Sequence, residues 1–433
     1  MKFRIKNIGK IHEADVLLDG ITVLAGNNNT GKSTIGKALF GAFYSMRNFA
    51  DKIVSTKKAL LRREINFAIT RNSLGLARSA LLDDVYDVAQ VESAIEKIMS
   101  GSADVESAVQ ELFSIKGEEN TLDSEFTSVI HNLSHELSRI TSVDDKELGL
   151  SIITGYFSNI FYDQINSLDN NGADGCVELL IKDRLVNLSF NNNRCYRVRQ
   201  ELDISSSVYY IDNPYVLDYM NRKLLLRNAD LAVNVLIDGL KDSHEMIEEE
   251  AAVELLNRKR LDKILALLEK VVPGEVNLQK KYVYKSEKFR EGLNVGALSS
   301  GLKTFVILKT LLKNGSLRSK DVLILDEPEV HLHPDWLKLY AQLIVLLQQE
   351  YDLTILVTTH SFRLTEALDF YTRKHEISEK VHYYLCTLGE QQEAMIENVG
   401  RNKELIYRQW LNASDALRKE EYKWEESCEM DDK

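Results

Sequence analysis

Cysteine is scarce and scattered in this sequence. Cys176, Cys195, Cys386 and Cys428 are the only four in 433 residues, and no two form a CxxC pair. That pattern argues against a disulfide framework, a structural zinc site and a zinc hook. Long apolar runs are missing too. None reaches the roughly 18–20 residues needed to span a bilayer. The opening MKFRIKNIGKI lacks the apolar core of a secretory signal, so the expectation is a cytoplasmic protein without membrane contact. Nor is there an excess of basic residues. With 54 basic and 66 acidic side chains the net charge is −12, which gives no support for broad attraction to nucleic acid. Basic clusters at Lys57/Lys58, Arg62/Arg63 and Arg258–Arg260 lie in stretches that read as helical. A solvated face accounts for them, and a DNA-facing patch is the alternative. Residues 47–170 contain no proline. The chain shows no internal repeat, no low-complexity tract and no heptads regular enough for an extended coiled coil.

What is present is an interrupted α/β pattern. FRIKNI and IHEADVLL alternate apolar and polar residues, and Asp19-Gly20 turns the chain into the apolar strand ITVLA. Residues 32–46 read as a helix, with Ile35, Leu39 and Phe43 on one face. Residues 47–170 read as a helical insertion, through segments such as VYDVAQVESAIEKIMSG and SEFTSVIHNLSHELSRI. Strand patterning returns over 171–215, in VELLIKDRLVNLSF and SVYYID. A second helical segment covers 216–274 and stops at Pro273-Gly274. From 275 to 400 the pattern is βα again, with a hairpin-like VNLQKKYVYK, a helix at about 302–314, and the apolar strands VLIL and TILVTT around a helix through WLKLYAQLIVLLQQ. Unbroken apolar strands between helices predict a parallel sheet buried on both faces. Residues 401–433 read as a final helix and a loosely ordered tail. The expected architecture is an α/β head, beginning with residues 1–46 and split by mostly helical material.

Four motifs carry chemistry. The first is GNNNTGKST, comprising Gly26, Asn27, Asn28, Asn29, Thr30, Gly31, Lys32, Ser33 and Thr34, between a strand and a helix. It satisfies GxxxxGK[ST] in the context that the motif requires. Gly26 and Gly31 let the loop curl so that backbone N–H groups face phosphate oxygens, and the helix adds its positive end. Lys32 is placed for the β- and γ-phosphates, and Ser33 offers a hydroxyl to Mg²⁺. The second is VLILDEPEVHLHP. Asp326 and Glu327 end an apolar strand, the edge at which ligands of open α/β sheets gather. Asp326 is placed to hold Mg²⁺, and Glu327 to polarise an attacking water as general base.

The third motif is LSSGLK, 27 residues before Asp326, where Ser299, Ser300 and Gly301 open a helix. A plain serine cap is one reading. A second anion-binding helix end is the other, and it makes sense if it meets a γ-phosphate held by another subunit. The fourth is His360, ending TILVTTH, where an imidazole can bond a γ-phosphate and sense its loss. His331 and His333 form an HxH pair. With no third ligand in view, shaping of a subunit contact is the expected role for them rather than metal binding.

Together these motifs resemble the ABC ATPase clade of SMC, RecF and OLD-type proteins, over residues 1–46 and 276–365. IKNIGKIHEADVLLDGITVLAGNNNTGKST matches the clade's start, and LSSGLK, LDEPEVHLHP and TTH match its later motifs in order. The resemblance implies an ABC-type ATPase head that binds ATP and Mg²⁺ and dimerises, or forms a higher homo-oligomer. Lys32, Ser33, Asp326, Glu327 and His360 would then act on one face of the nucleotide and Ser299–Gly301 of the neighbour on the other. The glutamine of the family's Q-loop has no assignable counterpart. The signature reads Ser-Ser-Gly where transporter heads usually have Ser-Gly-Gly, a variant similar to the OLD-like group. About 70 residues follow His360, too few for the Toprim nuclease of OLD proteins, so no nuclease domain is expected. Stand-alone heads of this kind resemble the ATPase subunits of anti-phage systems such as Septu and PARIS. That resemblance implies a separately encoded effector, a nuclease or toxin. DNA repair or DNA clamping, as in RecF and SMC proteins, is the alternative, with DNA as a partner.

Overall fold

The computed structural model describes residues 1–75, 88–114, 124–167, 172–221, 229–241, 260–278, 281–390, 392–400 and 402–409, and a few positions of the tail. The run SHEMIEEEAAVELLNRK, with Arg258, lies outside them. The chain divides into two compact units, Met1–Arg47 with Ile153–Lys433, and Asn48–Ile152.

In chain order, β1 (Lys2–Ile8), β2 (Ile11–Leu17) and β3 (Ile21–Gly26) lead to α1 (Lys32–Met46). Five helices follow: α2 (Phe49–Gly75), α3 (Val88–Ser100), α4 (Val105–Ser114), α5 (Ser124–Ser142) and α6 (Asp145–Phe161). Then come β4 (Gly175–Ile181), β5 (Arg184–Asn191), β6 (Arg194–Gln200), β7 (Val208–Ile211), the short α7 (Val216–Tyr219), α8 (Leu231–Lys241) and α9 (260–269). A small sheet of β8 (Gly274–Leu278), β9 (Tyr282–Ser286) and β10 (Leu293–Asn294) precedes α10 (Ser300–Lys313). The chain continues with β11 (Val322–Asp326), α11 (Pro334–Tyr351), β12 (Thr354–Thr359), α12 (Phe362–Lys374), β13 (Val381–Leu388) and β14 (Ala394–Asn398).

Among the described residues eleven strands form one sheet, in the order β6-β5-β4-β1-β2-β14-β13-β3-β12-β11-β7. It is mixed. β13, β3, β12, β11 and β7 run parallel, whereas β6 to β2 form antiparallel pairs. The residue patterns explain the division. β3 and β11 are buried at every position, as strands covered on both faces must be. β1 buries Phe3 and Ile5 but exposes Lys2, Arg4 and Lys6, so one face meets water. Lys182–Asp183 and Asn192–Asn193 close the β4–β5 and β5–β6 hairpins with positive φ at both central residues. That is the turn geometry whose twist matches that of the strands.

The parallel strands place the chain's motifs. β3 lies between β12 and β13, and β11 lies beyond β12, with Thr359 level with Ala25 and Asp326 level with Thr358. Gly26, Asp326 and Thr359 therefore end on the same edge of the sheet. A continuous core of Val23, Leu323, Leu325, Ile355, Val357, Phe305, Tyr340 and Ile344 fixes these strands to α10 and α11.

The second unit is a helical cluster in which Leu61, Ile65, Ile95, Ile98, Val109, Leu112, Leu133 and Leu137 are packed together. As a compact unit it ends at Ile152, inside α6. The second half of α6 belongs to the first unit because Phe157 packs against Phe190 of β5, with ring centroids 4.6 Å apart. Parts of the basic clusters of α2 are paired with nearby carboxylates. Arg62 forms two hydrogen bonds to Glu92, and Lys57 pairs with Asp145 at 2.5 Å.

Candidate functional site

The Gly26–Thr34 loop joins β3 to α1. Gly31 caps α1 with φ of 84°, and a Cβ there would stand 2.9 Å from the Cβ of Ala394. Both the left-handed backbone and the close packing require glycine. Asn27 and Thr30 close the loop from within, the Thr30 hydroxyl donating to the Asn27 carbonyl at 2.8 Å. Asn27, Asn28 and Asn29 are exposed on its outer side. Asn29, at φ of 67°, accepts a hydrogen bond from Lys10 Nζ at 2.6 Å. Lys10 belongs to the β1–β2 turn and is a second cation at the loop that motif matching overlooks. Thr34 packs under the same turn, where a Cβ on Gly9 would lie 3.0 Å from its methyl.

Lys32 is buried, and its Nζ donates to the carbonyls of Gly26 (3.0 Å) and Asn27 (2.6 Å). It also lies 3.8 Å from Glu327 Oε1. One residue on, Ser33 Oγ donates to Asp326 Oδ1 at 3.1 Å. Asp326 Oδ1 accepts from the Thr358 hydroxyl as well, and Oδ2 from the buried Tyr210 hydroxyl at 2.5 Å. Burial, and then the charge of Asp326, pushes the Tyr210 phenol well above its ordinary range. Asp212, at the end of β7, is open to solvent on one side. It is still enclosed enough that desolvation, followed by Asp326's charge, raises its carboxyl.

Glu327 adopts left-handed backbone angles, φ 50° and ψ 50°, and its N–H donates to both the carbonyl and the hydroxyl of Thr358 at 3.1 Å. Its carboxylate lies 3.5 Å from His360 Nδ1. Lys32, Ser33, Asp326, Glu327 and His360 are thus brought together at the ends of β3, β11 and β12. A glycine-bearing loop at a helix N-terminus, a buried lysine, a hydroxyl paired with a carboxylate, and a second carboxylate beside an imidazole can bind a phosphate chain and polarise a water.

The signature segment packs instead on the turn after Glu327. Ser299 stands at the N-cap of α10, but its hydroxyl makes no capping bond. Ser300 continues the helix, its carbonyl accepting from Thr304. A Cβ on Gly301 would approach the His331 carbonyl to 2.8 Å, so glycine is what lets α10 pack there. Lys303, which the motif left without a role, is buried. It donates to Asp218 at 2.5 Å and to the Gly296 carbonyl at 3.0 Å, beneath the Tyr215 ring. His331 packs edge-on to Tyr215, and His333 caps α11 by accepting from Asp335 N–H at 3.4 Å. Among the described residues no group of three or more His, Cys, Asp or Glu side chains could hold a metal.

A protein-family model described as "AAA domain, putative AbiEii toxin, Type IV TA system" matches residues 123–366, more than half of the 433-residue chain. The chain belongs to this AAA-domain family. No curated protein matches it. Solved structures that resemble it include an SMC head bound to the C-winged helix domain of ScpA, 10% identical over 93% of this chain and 98% of that one, with a TM-score of 0.43. A Smc head with an extended coiled coil bound to the C-terminal domain of ScpA, from Pyrococcus furiosus, is 10% identical over 95% and 98%, with a TM-score of 0.41. An SMC head domain from Thermotoga maritima is 10% identical over 92% and 98%, at 0.37. The AAA-domain match starts after the Gly26–Thr34 loop and takes in the signature, the DE strand and His360. The Gly26–Thr34 loop and the strands before it lie outside the family span. No helix among the described residues is long and apolar enough to cross a membrane.

Proposed function

We propose that this AAA-domain chain binds ATP with Mg²⁺ and hydrolyses it at a site shared between two copies. The observation that supports this most is the convergence of Lys32, Ser33, Asp326, Glu327 and His360 from three parallel strands, with Lys32 3.8 Å and His360 3.5 Å from Glu327. The loop N–H groups and Lys32 bind the β- and γ-phosphates. The Ser33 hydroxyl and the Asp326 carboxylate, 3.1 Å apart, are hard oxygen donors of the kind Mg²⁺ takes, and would hold it together. When bound, the ion neutralises charge on the β- and γ-phosphates. Glu327 takes the proton of the attacking water, and His360 contacts the γ-phosphate. Ser299 and Gly301, at the N-terminus of α10, meet the γ-phosphate held by the neighbour.

Glu327→Gln tests the reading. It is expected to keep ATP binding, slow phosphate release on the order of 10²–10⁴-fold, and accumulate an ATP-bound dimer detectable by light scattering. Unchanged turnover in that variant would remove Glu327 from the chemistry.

The biological reading is an ATPase that holds or releases a separately encoded nuclease or toxin in anti-phage defence, in the cytoplasm. The matched family's description names a putative toxin and a toxin–antitoxin system, and the separate effector is our extension of it. The RecF- or SMC-like alternative requires DNA binding. The net charge of −12 and the carboxylate pairing of Arg62 and Lys57 weigh against it. Co-expression with the products of flanking genes separates the two. A neighbour whose toxicity depends on Lys32 supports defence, and recombination proteins as neighbours support repair.

A further inference from the structure

Glu329 is an acid of the DEPE run to which no chemistry has been given, yet its side chain is only 5% exposed. It sits in the single helical turn, Pro328–His331, that follows Glu327. Its Oε1 accepts three hydrogen bonds, from the Thr359 hydroxyl at 2.5 Å, the His360 N–H at 2.9 Å and the Ser361 N–H at 3.1 Å. Oε1 also lies 3.5 Å from His360 Nδ1. Oε2 is buried with no protein partner among the described residues. Burial raises this carboxyl against the pull of the Thr359 hydroxyl.

A buried acid is a costly way to close a turn, and an apolar side chain of similar size would serve packing as well or better. The acid supplies direction. All three donors belong to the exit of β12, and the acceptor belongs to the exit of β11. Glu327 is held by the same strand end, since its strained left-handed backbone donates to Thr358. Residues 358–361 therefore fasten both acids that follow β11, and the distance between Glu327 and His360 depends on those bonds.

The geometry points to Glu329 as a positioning residue for the hydrolytic step. It clamps the His360 backbone to the turn carrying Glu327 and so sets where the imidazole meets the γ-phosphate relative to the base. The proposal rests on the ATPase reading above and deepens it.

The test measures kcat, KM and ATP affinity for Glu329→Ala, Glu329→Gln, His360→Ala and the double variant Glu329→Ala/His360→Ala, with Glu327→Gln alongside. Glu329→Ala is expected to lower kcat roughly 10²-fold, the cost of displacing a reacting group by about 1 Å, with ATP affinity unchanged. Glu329→Gln keeps an oxygen that can accept the three donors. It is expected to retain most of the turnover, and it serves as the readout should the alanine variant fail to fold. In the His360→Ala background, Glu329→Ala should add little. Native kcat in Glu329→Ala, a loss confined to ATP affinity, a Gln variant as slow as the Ala variant, or effects that multiply with His360→Ala would each overturn the clamp. If Glu327→Gln also hydrolyses at the native rate, the ATPase reading fails as well. A slow Glu327→Gln beside a native Glu329→Ala sinks the clamp alone.

Discussion

Asp326 accepts from three hydroxyls, those of Ser33, Thr358 and Tyr210. The tyrosine matters most for orientation, because among the described residues it alone donates to Oδ2, and it is itself buried. Tyr210→Phe removes that donor and leaves the ring in place. If Asp326 holds Mg²⁺, losing a hydrogen-bond partner of this kind should raise the Mg²⁺ needed for half-maximal turnover by about 10-fold or more. Titrating Mg²⁺ at saturating ATP measures it, and an unaltered Mg²⁺ dependence would show that Tyr210 does not orient the ligand. Asp326 itself was legible in the sequence, because four apolar residues run straight into it. Tyr210 was not. In SVYYID both tyrosines read as strand residues, and which one reaches Asp326, 116 positions away, depends on β7 lying beside β11. Asp218 and Glu329 escaped notice for the same reason. Their partners are supplied by tertiary neighbours, and neither sits at a motif's reactive position.

The elements themselves were largely readable. The helix after the P-loop, the apolar strands of the parallel core and the helices around them leave periodicities of 3.6 or an unbroken apolar run. Sheet order leaves no such trace. Nothing in VHYYLC indicates that β13 lies beside β3 and walls the P-loop, with Ala394 of the neighbouring β14 against Gly31. Asp321, in LRSKD just before β11, belongs to none of the motifs. It accepts the N–H of Ser207 at 2.7 Å and of Arg318 at 2.8 Å, fastening the starts of β7 and β11 together. Burial pushes its carboxyl from 3.8 up to about 6. Because the folded value lies above the unfolded one, the folded chain binds this proton more tightly. The group therefore costs stability above about pH 6, and the cost is relieved as pH falls from about 6 towards 4. Asp321→Asn cannot titrate. Urea unfolding of both proteins at about pH 7.5 and pH 5 should show the native chain gaining on the variant by about 1 kcal/mol on acidification. A difference that is flat, or that runs the other way, would remove Asp321 as the cause.

At the scale of the whole molecule, two helix N-termini are presented with different equipment. α1 carries the loop, the lysine and the route to Asp326, while α10 carries a serine whose hydroxyl caps nothing. Lys303, bonded to Asp218 and Gly296, holds the start of α10 in place from within. Within one chain the signature packs on the turn after Glu327, so the proposed use for its exposed serine lies on a neighbour's nucleotide. Ser299→Arg should then abolish turnover in a homogeneous sample while leaving ATP binding intact, because its own loop is untouched and the added cation blocks closure. Lys32→Ala should fail for the opposite reason, with a sound signature and a broken loop. Mixed in equal amounts, half of the dimers pair one of each, and each such dimer has one complete site and one doubly broken one. Turnover should return to at most about a quarter of the native rate if the sites act independently. Phosphate release from the mixture measures it, with native mass spectrometry or differential tags to count mixed dimers. If mixed dimers form and no turnover returns, Ser299 does not complete a neighbour's site, and α10 must serve its own chain alone.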